Sequence, residues 1–299
     1  MGLLDGKVVV VTGAGRGIGR GEAMECARQG AAVVLNEFDP AVGADVVAEI
    51  QAAGGSAVLV EGDVSEPEVA DALVAAAVRE FGRLDGLVNN AGVLRDRTLR
   101  KMTPEEWDTV IRVHLRGHYA PTHAAVGHWK EHGGPGRIVC TASTSGLLGN
   151  FGQSNYGAAK AGIAAFSTIV AMETARLGVT CNAIAPGART RMTEAAYGSI
   201  PGGDSDGFDF WHPDNVAPLV AFLLSDRAAH ISGKVFGVQG DAVELYRPWT
   251  SAAAVENGGS RWDPEVLAGR IDELFAAADI VPGAENMMRK LRYTMTERS

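Results

Sequence analysis

The chain has 299 residues, 46% of them hydrophobic and 38 of them glycine, which suits one substantial core in a single large α/β domain. A formal charge of −9 removes the attraction that a nucleic-acid binder needs, and no apolar run is long enough to span a bilayer, so neither partner is expected. Cys26, Cys140 and Cys181 are odd in number and lack C-x-x-C spacing; they read as reduced core residues, and with no leader segment a cytoplasmic protein is expected.

Short β-branched runs alternate with helical patterns to about residue 240, the signature of a doubly wound, Rossmann-like parallel sheet. The first predicted strand, 7–12, leads into Thr12-Gly13-Ala14-Gly15-Arg16-Gly17-Ile18-Gly19 and a helix over 18–29. Glycines there let backbone amides approach a pyrophosphate, and the helix N-terminus adds partial positive charge. Ile18 occupies the third glycine position of G-x-G-x-x-G, so the spacing is T-G-x-x-x-G-x-G instead. A second strand, 32–36, delivers Glu37, eighteen residues after Gly19, where a carboxylate accepts ribose hydroxyls and repels a 2′-phosphate. NAD is therefore expected, with NADP the alternative, because Arg16 offers a cation that could reach such a phosphate.

A helix over 42–53, a strand over 57–61, a helix over 66–81 and a strand over 84–89 follow, the last ending in Asn89-Asn90-Ala91-Gly92. One long helix is expected over 104–131, then a strand over 137–140 with Ser143 just beyond it. Tyr156 and Lys160 stand four apart at the start of a helix over 155–177, so they project from one face. An adjacent ammonium favours the phenolate; moving a tyrosine pKa from about 10 to about 7 takes roughly 4 kcal/mol. Ser143, thirteen residues before Tyr156, could hydrogen-bond a substrate oxygen. The remaining expected elements are a strand over 179–185, a long irregular connection over 187–212 of the kind that forms lids, a helix over 213–224 and a seventh strand over 235–239. Residues 241–299 carry Trp249, Trp262, Leu267, Ile271, Leu274 and Phe275, and are too apolar for a disordered tail. The expected organisation is thus a catalytic domain over 1–240 and an extension over 241–299 packed on it or on a partner subunit.

With Gly13, Gly17, Gly19, Asn90, Ser143, Tyr156 and Lys160 all in order, residues from about 5 to 240 resemble the short-chain dehydrogenase/reductase superfamily. The resemblance implies Tyr156 as general acid/base, Lys160 as its activator and ribose anchor, and Ser143 as carbonyl positioner. It also implies that Asp63 and Val64 meet the adenine, that Asn89, Asn90, Ala91 and Gly92 line the adenosine side, and that Pro186 and Gly187 hold the nicotinamide carboxamide near Asn182. Where the superfamily usually has an asparagine whose carbonyl serves a proton relay, this sequence has His114, either a relay member or a histidine satisfied in the core. The other six histidines show no ligand spacing, so no metal is expected.

Several stretches, 94–97, 113–117, 149–153 and 190–194, resemble the branch found as the dehydrogenase domain of type 2 multifunctional β-oxidation enzymes. That branch implies NAD-dependent oxidation of (3R)-hydroxyacyl-CoA, with 17β-hydroxysteroids as an alternative substrate. The chain ends where that enzyme's further domains would begin, so a stand-alone dehydrogenase is expected. Arg95, Arg97, Arg100 and Lys101 either meet CoA phosphates or are solvated helix-end charges. Rival readings are an NADPH-dependent 3-ketoacyl reductase and a nucleotide-sensing scaffold without turnover. The long helices over 104–131 and 155–177 are the faces on which the superfamily forms homodimers or homotetramers.

Overall fold

The computed structural model describes residues 2–197, 207–285 and 287–291. Its first half repeats a simple unit: β1 (Val8–Thr12), α1 (Gly17–Arg28), β2 (Ala32–Glu37), α2 (Pro40–Ala52), β3 (Ser56–Glu61), α3 (Pro67–Phe81) and β4 (Gly86–Asn89). The second half adds α4 (Pro104–Ile111), α5 (Gly117–His132), β5 (Arg137–Thr141), α6 (Thr144–Leu148), α7 (Ser154–Thr174), β6 (Thr180–Gly187), α8 (Arg191–Tyr197), α9 (Ala217–Leu224), β7 (Val235–Gln239) and β8 (Ala242–Leu245). The strands form one sheet in the order β3-β2-β1-β4-β5-β6-β7-β8, so the direction of winding reverses between β1 and β4. Ligands of such sheets bind at that reversal, beyond the carboxyl ends of the strands.

Helices cover both faces, which explains why the strands read as continuous apolar runs. All five residues of β1 are buried, and they alternate between two cores. Val9 and Val11 pack with Ala23 and Cys26 of α1 and Val220 and Leu224 of α9. Val8 and Val10 pack on the other face with Leu73 of α3, Trp129 of α5 and Ile163 of α7. The three cysteines are free and buried in these cores, as expected.

The expected seven-stranded parallel sheet has an eighth strand, and β8 runs antiparallel to β7. A two-residue turn reverses the chain, with Gly240 at φ 56° where a side chain would be strained. Gly240-Asp241 after an apolar run is a hairpin signal, and ending the domain at 240 cuts through it. The single helix expected over 104–131 is instead α4, a π-helical turn at Arg112–Arg116, and α5. The irregular connection expected over 187–212 holds α8, seeded by Thr190 and Thr193, which exchange backbone and hydroxyl hydrogen bonds. Of the glycines and proline read there as loop formers, Gly198, Pro201, Gly202 and Gly203 lie outside the described residues.

Beyond β8, helices α10 (Pro264–Ala268) and α11 (Asp272–Ala278) carry no buried residue, and Trp249 is 92% exposed. The chain then returns to the domain, where a 3-10 turn at Met287–Lys290 touches α6. No helix among the described residues is long and apolar enough to cross a membrane.

Candidate active site

A cavity of about 840 Å³ opens at the winding reversal, running from the β1–α1 turn to the start of α7. Its first end is shaped by the main chain. Gly13 has φ 62°, and a Cβ there would lie 2.8 Å from Ala91 Cα; a Cβ on Gly19 would lie 2.3 Å from the Gly13 carbonyl oxygen. Neither position admits a side chain. Asn90 pins the turn from β4, its amide donating to the carbonyls of Thr12 (2.9 Å) and Gly13 (3.1 Å), while Thr12 Oγ1 accepts from the backbone amides of Asn90 and Ala91. Helix α1 begins at Gly17 with no side-chain cap and no acid in its first turn, so its free amides and positive dipole end are available to an anion. This cradle fits a pyrophosphate.

Glu37 stands at the end of β2 beside it, with Oε2 accepting from Gly15 N and Oε1 from Phe38 N, each at 2.9 Å. Arg16 lies 3.7 Å from Asp39, which offsets the cation that a 2′-phosphate would need. Asp63 accepts from Ser65 N and Oγ and from Arg112 in the π turn. Burial opposes its ionisation, but the Ser65 and Arg112 hydrogen bonds outweigh that and hold the carboxyl below its usual range.

The other end is made of side chains buried with few partners. Lys160 is 2% exposed; its Nζ donates to the carbonyl of Thr141 and lies 5.6 Å from the centre of the Tyr156 ring. Burial, offset in part by Cys140 and Glu22, pushes the Lys160 pKa down to about 7, so it can exchange a proton near neutral pH. The His114 ring meets Tyr156 edge-on at 5.2 Å, and its Nε2 lies 2.7 Å from the Val93 carbonyl. Burial, with Lys160 adding to it, lowers the His114 pKa to about 3, so the ring is neutral. Glu22, fully buried on α1, has no hydrogen-bond partner for either carboxyl oxygen among the described residues. Burial raises its pKa to about 8 despite the pull of Lys160.

Of the residues singled out in the sequence, Gly13, Arg16, Gly17, Ile18, Gly19, Glu37, Asp63, Val64, Asn90, Ala91, Gly92, His114, Tyr156, Lys160 and Pro186 all line this cavity. Of the cofactor and catalytic residues, Ser143, Gly187, Asn89 and Asn182 do not. Ser143 lies at the N-cap of α6, next to the lining residue Ala142, with Oγ accepting from Ser145 N at 3.2 Å, Gly187 packs against Gln239 and Trp211, and Asn182 donates to the Ile231 carbonyl at 2.9 Å. Asn89 faces the core rather than the adenosine side, donating to Thr122 Oγ1 at 2.9 Å, because alternate residues of a strand point to opposite faces. Sequence reading missed Arg112, Thr141 and Val93, whose place depends on the π turn and on the strand ends. Among the described residues no three of His, Cys, Asp and Glu are grouped as metal ligands would be.

A second, open cavity of about 470 Å³ adjoins the first through Arg95 and is lined by Leu94, Asp96, Arg97, Glu106 and Phe151. Its wall is tied to the start of α7, where Gln153 donates to Asp96 (2.7 Å) and Asn155 to the Arg95 carbonyl (3.0 Å).

Residues 7–198 match the sequence profile of the short chain dehydrogenase family. The chain is 46% identical over 288 residues to hydroxyacyl-CoA dehydrogenase ChsB1 of Mycobacterium tuberculosis, covering 92% of this chain and 90% of that protein. It is 42% identical over 238 residues to peroxisomal multifunctional enzyme type 2 of Mus musculus, covering 77% of this chain but 31% of that longer protein. A crystal structure of a short chain dehydrogenase from Mycobacterium avium superposes with a TM-score of 0.85 at 42% identity, covering 95% of this chain and 100% of the other.

Proposed function

Since the chain belongs to the short chain dehydrogenase family, whose members use a nicotinamide nucleotide, we propose that it oxidises (3R)-hydroxyacyl-CoA to 3-ketoacyl-CoA with NAD. One observation carries the reading: a single cavity joins a phosphate cradle beside Glu37 to the pair Tyr156 and Lys160, in a chain 46% identical to a hydroxyacyl-CoA dehydrogenase. NAD is favoured over NADP because Glu37 presents a carboxylate where a 2′-phosphate would lie, while Arg16 is engaged by Asp39.

In the proposed reaction Tyr156 Oη takes the hydroxyl proton of the substrate as the carbinol C–H bond breaks. The bound nicotinamide supplies the acceptor for the hydride that leaves that carbon. The ammonium of Lys160 favours the phenolate of Tyr156, and the Ser143 hydroxyl, next to the lining residue Ala142, orients the substrate oxygen. His114, neutral and edge-on to Tyr156, limits the swing of the phenol ring. The second cavity, lined by Arg95, Arg97 and Phe151 among others, suits a thioester whose anionic tail leaves the catalytic cavity. Arg97 is shared with Glu106 at 3.5 Å, so Arg95 is the freer cation for a CoA phosphate. Exposed Tyr119 on α5 and Ile169 and Met172 on α7 give an apolar face suited to twofold association of two copies.

Steady-state rates with (3R)-hydroxyacyl-CoA, its (3S) isomer and a 17β-hydroxysteroid, each with NAD and with NADP, test the proposal. Turnover of the (3R) thioester with NAD is expected to dominate. No turnover of that thioester sinks the substrate assignment, and a preference for NADPH-dependent ketone reduction sinks the cofactor and direction.

A further inference from the structure

His118 lies on α5 just beyond the π-helical turn and is 1% exposed. Its ring meets three main-chain groups: Nδ1 lies 2.7 Å from the carbonyl oxygen of His114, Nε2 lies 3.2 Å from the amide nitrogen of Thr141, and the Asn89 main chain also bonds to the ring. A backbone amide can only donate, so Nε2 accepts. A neutral ring then carries its proton on Nδ1 and donates it to His114. Burial, reinforced by Lys160 and His114, holds His118 well below the usual histidine range and keeps it neutral.

Thr141 is the residue through which this matters. The ladder between β4 and β5 ends at Asn89 and Cys140, so Thr141 extends one residue past it, paired only to Ile184 of β6. On the open side its amide is held by the imidazole, and its carbonyl accepts from Lys160 Nζ. A lysine side chain is a flexible stem ending in a point charge, so its anchor decides where the ammonium sits. Glu22 from α1 and Cys140 from β5 also act on Lys160, through their charge.

We propose that His118 is a positioning residue for the Tyr156 and Lys160 pair: one imidazole ties the His114 carbonyl to the Thr141 amide and so holds the carbonyl on which Lys160 rests. The inference rests on the reading of that pair as the proton-handling groups of the reaction. It assigns His118 no contact with substrate or nucleotide. It also gives the π-helical turn a purpose, since that turn presents the His114 carbonyl to a side chain four residues on.

Two measurements test it. In the whole unmodified protein labelled with 15N-histidine, NMR is expected to show one buried histidine in the Nδ1–H tautomer, unchanged from about pH 5 to 9. Assignment follows from loss of its signals in His118→Gln. An Nε2–H tautomer or a titrating ring overturns the proposal whether or not any substrate is turned over. For activity, His118→Leu removes the hydrogen bonds to His114 and Thr141, whereas His118→Gln offers an amide N–H and a carbonyl to the same two partners. His118→Leu is expected to lose ten- to a hundredfold in kcat, as small misplacements of reacting groups do, with the nucleotide Kd changed less than threefold. Its acidic limb in the pH profile of kcat is expected to move to higher pH, because the ammonium no longer favours the phenolate as well. His118→Gln is expected to restore most of the kcat and the original limb. A folded His118→Leu protein with unchanged kcat and pH profile overturns the proposal; so does equal loss in both variants with the limb unmoved, which marks a merely structural residue. If His118→Leu does not fold, the tautomer and the His118→Gln profile decide alone. Failure of the wild-type protein on every substrate would instead count against the proposed function.

Discussion

At the nucleotide end of the cavity the main chain sets the shape, whereas at the Tyr156 end buried titratable side chains do. Gly13 and Gly19 exclude side chains, Asn90 fixes the turn, and the charges nearby, Arg16 and Asp39, are half exposed. Across the cavity Lys160, His114, His118 and Glu22 are all at 2% exposure or less; Lys160 rests on the Thr141 carbonyl, the His114 ring bonds to Val93 alone, and Glu22 has no hydrogen-bond partner among the described residues. One end resists substitution for steric reasons. The other is sensitive to protonation, because in a low-dielectric interior each missing partner shifts a pKa.

The largest effect should come from the side-chain end. Tyr156→Phe removes the hydroxyl proposed to take the substrate proton and is expected to lower kcat by about 10³-fold, the middle of the usual range for a lost general base. Nucleotide binding, followed by fluorescence titration, should stay within a fewfold of wild type. If kcat survives, the catalytic end has been misplaced, and a nucleotide-binding scaffold without turnover becomes the better reading.

The steric end makes the converse prediction. Gly19→Ala puts a Cβ 2.3 Å from the Gly13 carbonyl oxygen and from the Asn90 amide, so the turn must open. Overpacking of this kind typically costs about 1–3 kcal/mol, and a displaced phosphate cradle should weaken NAD binding by about a hundredfold. Residual kcat at saturating nucleotide should fall much less. A large loss of kcat with unchanged binding would erase the distinction between the two ends.

The same contrast governs what the sequence makes legible. Gly13, Gly17 and Gly19 stand out because a glycine-rich strand-to-helix turn has few other uses, and Tyr156 and Lys160 because helical spacing puts them on one face. The seven parallel strands are visible because burial on both faces leaves unbroken apolar runs. Glu22 is not legible: between Arg20 and Glu25 it reads as part of a solvated helix face, and only the packing of α1 against the sheet buries it. His118 is silent for the same reason, since nothing local tells a core imidazole on α5 from the half-buried His128 and the exposed His132. The π turn has no periodic signature at all, because it is five residues long. β8 was within reach, as Gly240-Asp241 is a hairpin signal, but its four residues alternate too briefly to stand out.

An intermediate effect is expected at Glu37, where the ends meet in function though not in space. Glu37→Ala removes the charged acceptor proposed for the ribose, and hydrogen bonds to charged groups contribute about 1.5–3 kcal/mol. NAD should bind roughly ten- to a hundredfold more weakly and NADP about as before, narrowing the preference measured by kcat/KM for the two nucleotides. An NADP preference already present in the wild-type protein would remove the premise.

The smallest effect on turnover, and the most direct probe of the buried end, is expected from Glu22→Gln. Glu22 has a folded-state pKa raised by burial to about 8 against 4.5 unfolded, so between those values the folded state binds the extra proton. The Glu22 contribution to stability should therefore fall as pH rises through this window, at up to about 1.4 kcal/mol per pH unit. Lys160 acts in the opposite sense: its pKa is lowered by burial from 10.5 to about 7, so its penalty is full below 7 and relaxes as pH rises toward 10.5. The two slopes oppose each other only between about 7 and 8. Up to about pH 6.5 the buried His114 and His118, neutral in the folded state, add a slope of the opposite sign, but they are common to both proteins, so replacing Glu22 by a neutral amide of nearly the same shape should remove only its own falling contribution between pH 5 and 7. Thermal denaturation across this range should give a Tm difference, variant minus wild type, that grows with pH. Curves that stay parallel would mean that the carboxyl finds partners in solution, and that the Tyr156 end is less starved of hydrogen bonds than its geometry indicates.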